Sequence, residues 1–226
     1  MKIIYEDNHL IIVNKTCSEL VQGDKTGDES LIDQVKAYIK VKYNKPGEVF
    51  LGLVHRLDRP TSGLVIFART SKALTRMNEL FKEKKVIKKY WAVVDKAPPK
   101  NSDTLTHFLI KNEKQNKSYV SESQKSESKE AQLTYKLLKS SDKYFLLEIE
   151  LHTGRHHQIR AQLGAIGCKI KGDLKYGFPR SNKDGGIHLH ARYLEFEHPV
   201  KKEPFKITAE VPDDPLWKFF EAEIGT

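Results

Sequence analysis

Val54-His55-Arg56-Leu57-Asp58-Arg59-Pro60-Thr61-Ser62-Gly63 sets a block of polar and charged residues against the apolar run Leu64-Val65-Ile66-Phe67-Ala68. If 54–58 is extended, strand alternation turns Arg56 and Asp58 to one face and His55 and Leu57 to the other. A guanidinium and a carboxylate then project together. Pro60 to Gly63 are turn residues, so Asp58 is expected where a strand meets a loop, a rigid mount for a reactive group. Taken alone, the same ten residues also fit an ion pair beside an ordinary turn.

Working outward, Leu10 to Val13 and Trp91 to Val94 read as buried strands. Leu147, Ile149 and Leu151 alternate with Glu148 and Glu150, as a strand with one wet face should. Leu194 with Phe196, and Phe205 through Val211, repeat that period of two. Helical spacing appears in Leu31, Val35, Tyr38 and Ile39, with Ser30 as the expected N-cap and Asp33 as an acidic capping-box partner. It recurs in Leu74, Met77, Leu80 and Phe81, and again after Pro215. Strands interspersed with helices, without a βαβ rhythm, predict an α+β fold: a mixed, mostly antiparallel central sheet with flanking helices and loops. Residues 111–130 hold only Tyr119 and Val120 as large apolar side chains, so this stretch is expected to be a mobile loop or hairpin arm. The whole of 1–226 is expected to be one domain.

Composition narrows the function. The 39 Lys and Arg exceed the 30 Asp and Glu, a formal net charge of +9, which favours polyanionic partners such as nucleic acid or anionic lipid. No apolar run approaches the roughly 20 residues that span a bilayer, and the first residues lack the apolar stretch of a signal peptide. Only Cys17 and Cys168 are present. Neither a disulfide framework nor a thiolate zinc site is indicated, and a cytoplasmic protein is expected.

A second chemical cluster is Thr153-Gly154-Arg155-His156-His157-Gln158-Ile159-Arg160, which follows a strand and enters a helix carrying Ile159, Leu163 and Ile166. Two Arg and two His at a helix N-terminus can bind phosphate through guanidinium forks and unpaired backbone N–H groups. A metal site built on His152, His156 and His157, with His188 and His190, is the competing reading. Gly154 interrupts the i,i+4 pair, so no metal is expected. Phosphate-loop, dinucleotide and nucleophile-elbow signatures are absent from the sequence.

Taken together, HRLDRPTSGL (His55 to Leu64), KKYWAVV (Lys88 to Val94) and LHTGRHHQIRAQLGAIGCKIKGDLKYG (Leu151 to Gly177) closely resemble the RluA-type family of RNA pseudouridine synthases in order and spacing. The likeness runs from YEDNHLIIVNK to IHLHARYLEFEHP. It implies the pseudouridine synthase catalytic fold and conversion of a flipped-out uridine in ribosomal or transfer RNA to pseudouridine. It assigns the catalytic carboxylate to Asp58, the active-site tyrosine to Tyr90 and the basic partner of the carboxylate to Arg160. Arg56 is implied to hold the place vacated by the flipped nucleotide, and Leu189 to form an aliphatic wall. With Arg155 and His157 these are the expected substrate-binding residues. The chain departs from the family's NKPxGLxVHP pattern at residues 14–24, where it reads Asn14-Lys15-Thr16-Cys17-Ser18 and onward. An additional RNA-binding S4 module ahead of the core is not expected.

The chemistry fits these residue types. Exchanging an N1–C1′ bond for a C5–C1′ bond involves neither redox change nor hydrolysis, so no cofactor is expected. An ionised Asp can attack or assist uracil departure, a nearby Arg favours that ionised form, and a Tyr can stack on the base and move a proton at C5. Lys82, Lys84, Lys85, Lys88 and Lys89 are candidates to follow RNA phosphates. A monomer with RNA as its partner, without membrane attachment, is expected. The competing classes are a catalytically silent RNA-binding protein on the same scaffold and a metal-dependent nuclease.

Overall fold

The computed structural model of the chain describes residues 1–24, 27–121 and 123–224. In chain order its first elements are β1 (Lys2–Glu6), β2 (Leu10–Lys15), α1 (Leu31–Lys42), β3 (Gly52–Leu53), β4 (Ser62–Ala68), α2 (Ser71–Lys82) and β5 (Ile87–Val94). There follow β6 (Ser102–Asn112), β7 (Lys117–Ser121), β8 (Lys129–Ser140), β9 (Phe145–Leu151), α3 (Gln158–Ala165), a short 3-10 helix (Leu174–Tyr176), β10 (Leu189–Glu197), β11 (Pro204–Thr208) and α4 (Pro215–Ile224). The described residues form two compact units. One comprises 1–86 and 192–210, the other 87–191 and the residues from 211 onward. The architecture is the expected α+β, with antiparallel strand pairs within each unit and an isolated parallel bridge between Leu20 and Ser30.

In the first unit the apolar runs Leu10 to Val13 and Leu64 to Ala68 pair antiparallel, Ile11 opposite Phe67 and Val13 opposite Val65. Every residue of β4 is buried. A strand covered on both faces needs a continuous apolar run rather than alternation, and that is what its sequence supplies. Ser30 is the N-cap of α1 in extended conformation, yet its hydroxyl donates to the Asp33 carboxylate (2.5 Å) instead of accepting from a backbone N–H. At α2 the cap is Thr70, one residue before the expected start, and its Oγ1 accepts from the Ala73 N–H (3.2 Å).

Residues 54–58, whose alternation was read on the condition that they are extended, carry no strand pairing between β3 and β4. Leu57 is buried, Arg56 is exposed, and the His55 ring stacks on Phe81 while its Nε2 accepts from the Ile66 N–H. Asp58 still occupies the predicted junction, because its carbonyl accepts from Thr61 N–H (3.0 Å) and opens a turn that runs into β4.

The second unit is a five-strand antiparallel order, β5-β9-β8-β6-β7. Tyr90 of β5 lies opposite Ile149 of β9. Trp91, Val93 and Leu146 pack on Trp217 and Phe220 of α4, whose N-terminus is capped by the Asp214 carboxylate accepting from the Leu216 and Trp217 N–H groups. The stretch 111–130 holds the turn and second strand of the β6–β7 hairpin, in which Asn112 pairs with Lys117 and Phe108 with Ser121. Glu122 lies outside the described residues. Composition understated this hairpin because its apolar contribution is small and one-sided: Val120 leans on a cluster of Leu109, Ala131 and Ala161 that neighbouring strands and α3 supply. Thr70→Ala removes the only side-chain cap hydrogen bond seen at α2. It should lower stability by about 1 kcal/mol in urea unfolding.

Candidate active site

Asp58 is half-buried at the head of its turn, and the side chain that organises this turn is Lys15. Lys15 is 1% exposed. Its ammonium donates to the carbonyls of Thr16 (2.9 Å), Arg59 (2.9 Å) and Thr61 (2.7 Å), so three N–H donors meet three acceptors. Burial pushes its pKa down to about 8, against the opposing attraction of Glu19, Cys17 and Asp58. The departure from the family pattern after Lys15 does not detach the loop. Ser18 N–H donates to the Arg59 carbonyl and Arg59 Nε–H donates back to the Ser18 carbonyl, both at 3.1 Å. Arg59 also pairs with Asp28 at 2.7 Å.

In the second unit Arg160 is 5% exposed on α3. Its Nε–H and one terminal N–H donate to the two oxygens of Asp173, at 2.7 and 2.8 Å. Asp173 is itself 1% exposed. A buried guanidinium demands this kind of paired partner, and the planar fork suits a carboxylate. The guanidinium carbon also lies 5.1 Å from the centre of the Tyr176 ring, within cation–π range.

The loop that delivers α3 is built by Gln158. Its Oε1 accepts from Thr153 Oγ1–H (2.7 Å) and Arg155 N–H (3.0 Å), and its amide donates to the Gln132 carbonyl (3.0 Å). Arg155 is exposed and donates from Nε to the Glu130 carbonyl (2.9 Å). His157 adopts the left-handed region (φ 52°), stacks on His156 at 3.8 Å between ring centres, and approaches the Tyr176 hydroxyl with Nδ1 at 3.2 Å. Burial first, then the charge of Arg160, drive its pKa down to about 2, so the ring is neutral at physiological pH.

Three more of the candidate metal-binding histidines have hydrogen-bond partners. His152 bonds Thr134, His156 bonds Ser118, and His188 sits between Asn182 and Asp214. Among the described residues no group of three His, Cys, Asp or Glu is arranged to hold a metal ion, and no helix is long and apolar enough to cross a membrane. Tyr90 and Leu189 are both buried, on β5 and at the start of β10. Of the lysines expected to follow phosphate, Lys82, Lys84 and Lys85 are exposed, Lys85 pairs with Glu83, and Lys89 pairs with Glu148. Arg56 and Asp58 thus lie in one unit, and Tyr90, Arg155, His157, Arg160 and Leu189 in the other. The sequence reading missed Lys15, Gln158, Asp173 and Tyr176. The only signal for the last two was their position inside the third motif, GDLKYG.

Two solved structures share the fold. Human RNA Pseudouridylate Synthase Domain Containing 4 superposes with a TM-score of 0.80 at 23% identity, covering 98% of this chain and 93% of its own. Human RNA Pseudouridylate Synthase Domain Containing 1 gives 0.72 at 23%, covering 96% and 85%. Residues 9–165 match the family described as RNA pseudouridylate synthase, and the chain belongs to that family. Its relatives include ribosomal large subunit pseudouridine synthase C of Rickettsia prowazekii (strain Madrid E), 37% identical over 215 residues that cover 93% of this chain and 68% of the relative. The protein of the same description from Vibrio parahaemolyticus serotype O3:K6 (strain RIMD 2210633) is 32% identical over 213 residues, covering 92% and 64%. The resemblance to RluA-type enzymes therefore holds, and the protein is an RNA pseudouridine synthase.

Two outcomes test the local geometry. Lys15→Met leaves the Thr16, Arg59 and Thr61 carbonyls without their common donor. It should cost about 2 to 3 kcal/mol in urea unfolding and lower the rate of pseudouridine formation in the protein that remains folded. His157 has a folded pKa below its unfolded value, so between the two the unfolded chain binds the extra proton and stability falls as pH drops below about 6.5. His157→Asn, a residue that tolerates the left-handed backbone, should lessen the stability lost between about pH 7 and 5.5 by roughly 1 kcal/mol in paired urea titrations.

Proposed function

We propose that the enzyme acts on a uridine of large-subunit ribosomal RNA, with Asp58 as its catalytic carboxylate. The observation that carries the chemical part is the half-buried carboxylate at the head of a turn whose carbonyls a buried ammonium clamps. A group held in this way keeps its position when the substrate arrives, which is what nucleophilic or leaving-group assistance at C1′ requires. The RNA class is supported by relatives described as ribosomal large subunit pseudouridine synthase C, which cover 92–93% of the chain.

The target base has to leave its stack at a cost of a few kcal/mol, and the exposed Arg56 is proposed to occupy the gap. Asp58 then acts as the N1–C1′ bond breaks. The uracil turns, a C5–C1′ bond forms, the C5 proton is lost and N1 gains one, with Tyr90 stacking on the base and handling the proton at C5. Arg160 is proposed to favour the ionised carboxylate, and Leu189 to bound the base. Of the two other residues assigned to substrate, exposed Arg155 is the one suited to phosphate, whereas neutral His157 serves through its contact with Tyr176. The same reading makes the protein a cytoplasmic monomer that uses no cofactor.

Asp58→Asn preserves size and removes charge and nucleophilicity. Under single-turnover conditions, with unmodified large-subunit ribosomal RNA transcribed in vitro, pseudouridine formation should become undetectable while RNA binding persists. Folded Asp58→Asn protein with near wild-type turnover would overturn the assignment of the carboxylate. Mapping pseudouridine in ribosomal and transfer RNA from cells lacking the protein tests the RNA class: a site lost only from transfer RNA would overturn the ribosomal reading.

A further inference from the structure

Four consecutive residues, Asp173-Leu174-Lys175-Tyr176, touch two things at once. Asp173 holds the Arg160 guanidinium by two hydrogen bonds. Lys175 Nζ reaches the tip of the β6–β7 hairpin, donating to the carbonyls of Gln115 (3.3 Å) and Asn116 (3.1 Å). Tyr176 does both: its ring lies under Arg160, and its hydroxyl bonds the backbone of Ser118 on β7.

That hydroxyl is tied to its surroundings on several sides. Ser118 N–H donates to it at 3.0 Å, and its own proton goes to the Ser118 carbonyl, also at 3.0 Å. The neutral His157 ring supplies a further contact, with Nδ1 at 3.2 Å from the hydroxyl. This set of contacts suits the ring to a mechanical role. The ring is fixed in place and orientation by these contacts, two of them to the backbone of a single hairpin residue, Ser118. Around it, Lys117 Nζ sits 4.9 Å from the ring centre and 5.0 Å from that of Tyr119, while His156 bonds Ser118 Oγ at 2.9 Å. These contacts place a lysine-bearing hairpin and the guanidinium on the same aromatic ring.

We propose that Tyr176 is a positioning residue for Arg160, through which the β6–β7 hairpin sets the orientation of the guanidinium. The inference rests on the role proposed above for Arg160 and deepens it. The Asp173 fork holds the plane of the guanidinium by two hydrogen bonds, and the Tyr176 ring opposes tilting out of that plane. Displacing the hairpin, as when its lysines meet RNA phosphates, moves Ser118, then the ring, then Arg160.

The test uses the intact protein. Tyr176→Phe keeps the ring and breaks its tie to Ser118 and His157, whereas Ser118→Ala spares the backbone groups that Tyr176 uses. With unmodified large-subunit ribosomal RNA transcribed in vitro, Tyr176→Phe should lower the single-turnover rate constant at saturating enzyme about tenfold, with less than about a threefold change in the half-saturating enzyme concentration. Ser118→Ala should leave that rate constant within about twofold of wild type. The second readout is the Arg160 Nε–H resonance, which in wild type should be ring-current shifted and slow to exchange with water. In Tyr176→Phe the resonance should move and exchange faster, which a merely space-filling tyrosine does not require.

A folded Tyr176→Phe protein with wild-type rate constant and unmoved Nε–H resonance overturns the proposal. If that variant does not fold, wild type still decides: an Arg160 Nε–H without ring-current shift or protection overturns it equally. If Arg160→Ala retains the wild-type rate while the resonance still moves in Tyr176→Phe, the role of Arg160 in the reaction is overturned and its positioning by Tyr176 is upheld.

Discussion

A cation taken out of water has to be met by groups that replace its hydration, and Lys15 and Arg160, the buried Lys and Arg among the described residues, meet that requirement in different ways. Arg160 is met by a carboxylate, through a planar two-bond pairing that also neutralises it. Lys15 is met by three carbonyls, which satisfy its donors and leave its charge uncancelled by any of the three. The difference follows from the side chains. An ammonium is a compact point charge with three divergent donors, which suits the carbonyls of a turn folding around it, whereas a guanidinium is a flat fork that selects two oxygens in one plane. The consequence is local architecture: Lys15 gathers Thr16, Arg59 and Thr61 about the turn that Asp58 begins, and Arg160 ties α3 to the segment that leads into the 3-10 helix.

Elements whose burial is uniform or regularly periodic were legible in the sequence. The β2 and β4 runs are apolar throughout because both faces are covered, and β9 alternates. At residues 54–58 the strand reading stayed conditional, because alternation of type is necessary for a strand but does not supply a partner. Leu57 turns inward and Arg56 outward in chain that pairs with nothing regular. The hairpin at 102–121 was understated for the opposite reason. Much of what holds β7 is polar and distant in sequence: the Tyr176 hydroxyl on the Ser118 backbone, Lys175 on the turn, and His156 on the Ser118 hydroxyl. Composition counts apolar residues and is blind to such bonds.

The candidate site shows the same division. Asp58 and Arg160 stood out because a charged residue beside an apolar run asks for an explanation, and their motifs answered it through resemblance. Lys15 and Asp173 did not stand out, since nothing local reveals that a lysine at the end of a strand is 1% exposed or that an aspartate before a turn is equally buried. Gln158 was hidden as well, although it organises the loop before α3 with three hydrogen bonds. Residues that touch substrate are chosen for their chemistry, which sequence displays. Residues that hold them are chosen for a distance to another part of the chain, which only the fold reveals.

The assigned residues are divided between the two compact units, and within each unit particular contacts help to hold them. Asp58 depends on β2 and the segment after it, through Lys15 and the Ser18–Arg59 pair of hydrogen bonds. Arg160 depends on Asp173 and Tyr176, both within the second unit, and Tyr90 on its place in β5 against β9. A change in either of these anchor sets acts first on the residue that it holds. The two sets should therefore perturb different terms of the reaction: loosening the Lys15 turn misplaces the carboxylate itself, whereas loosening Tyr176 leaves the carboxylate seated and alters the cation proposed to stabilise it.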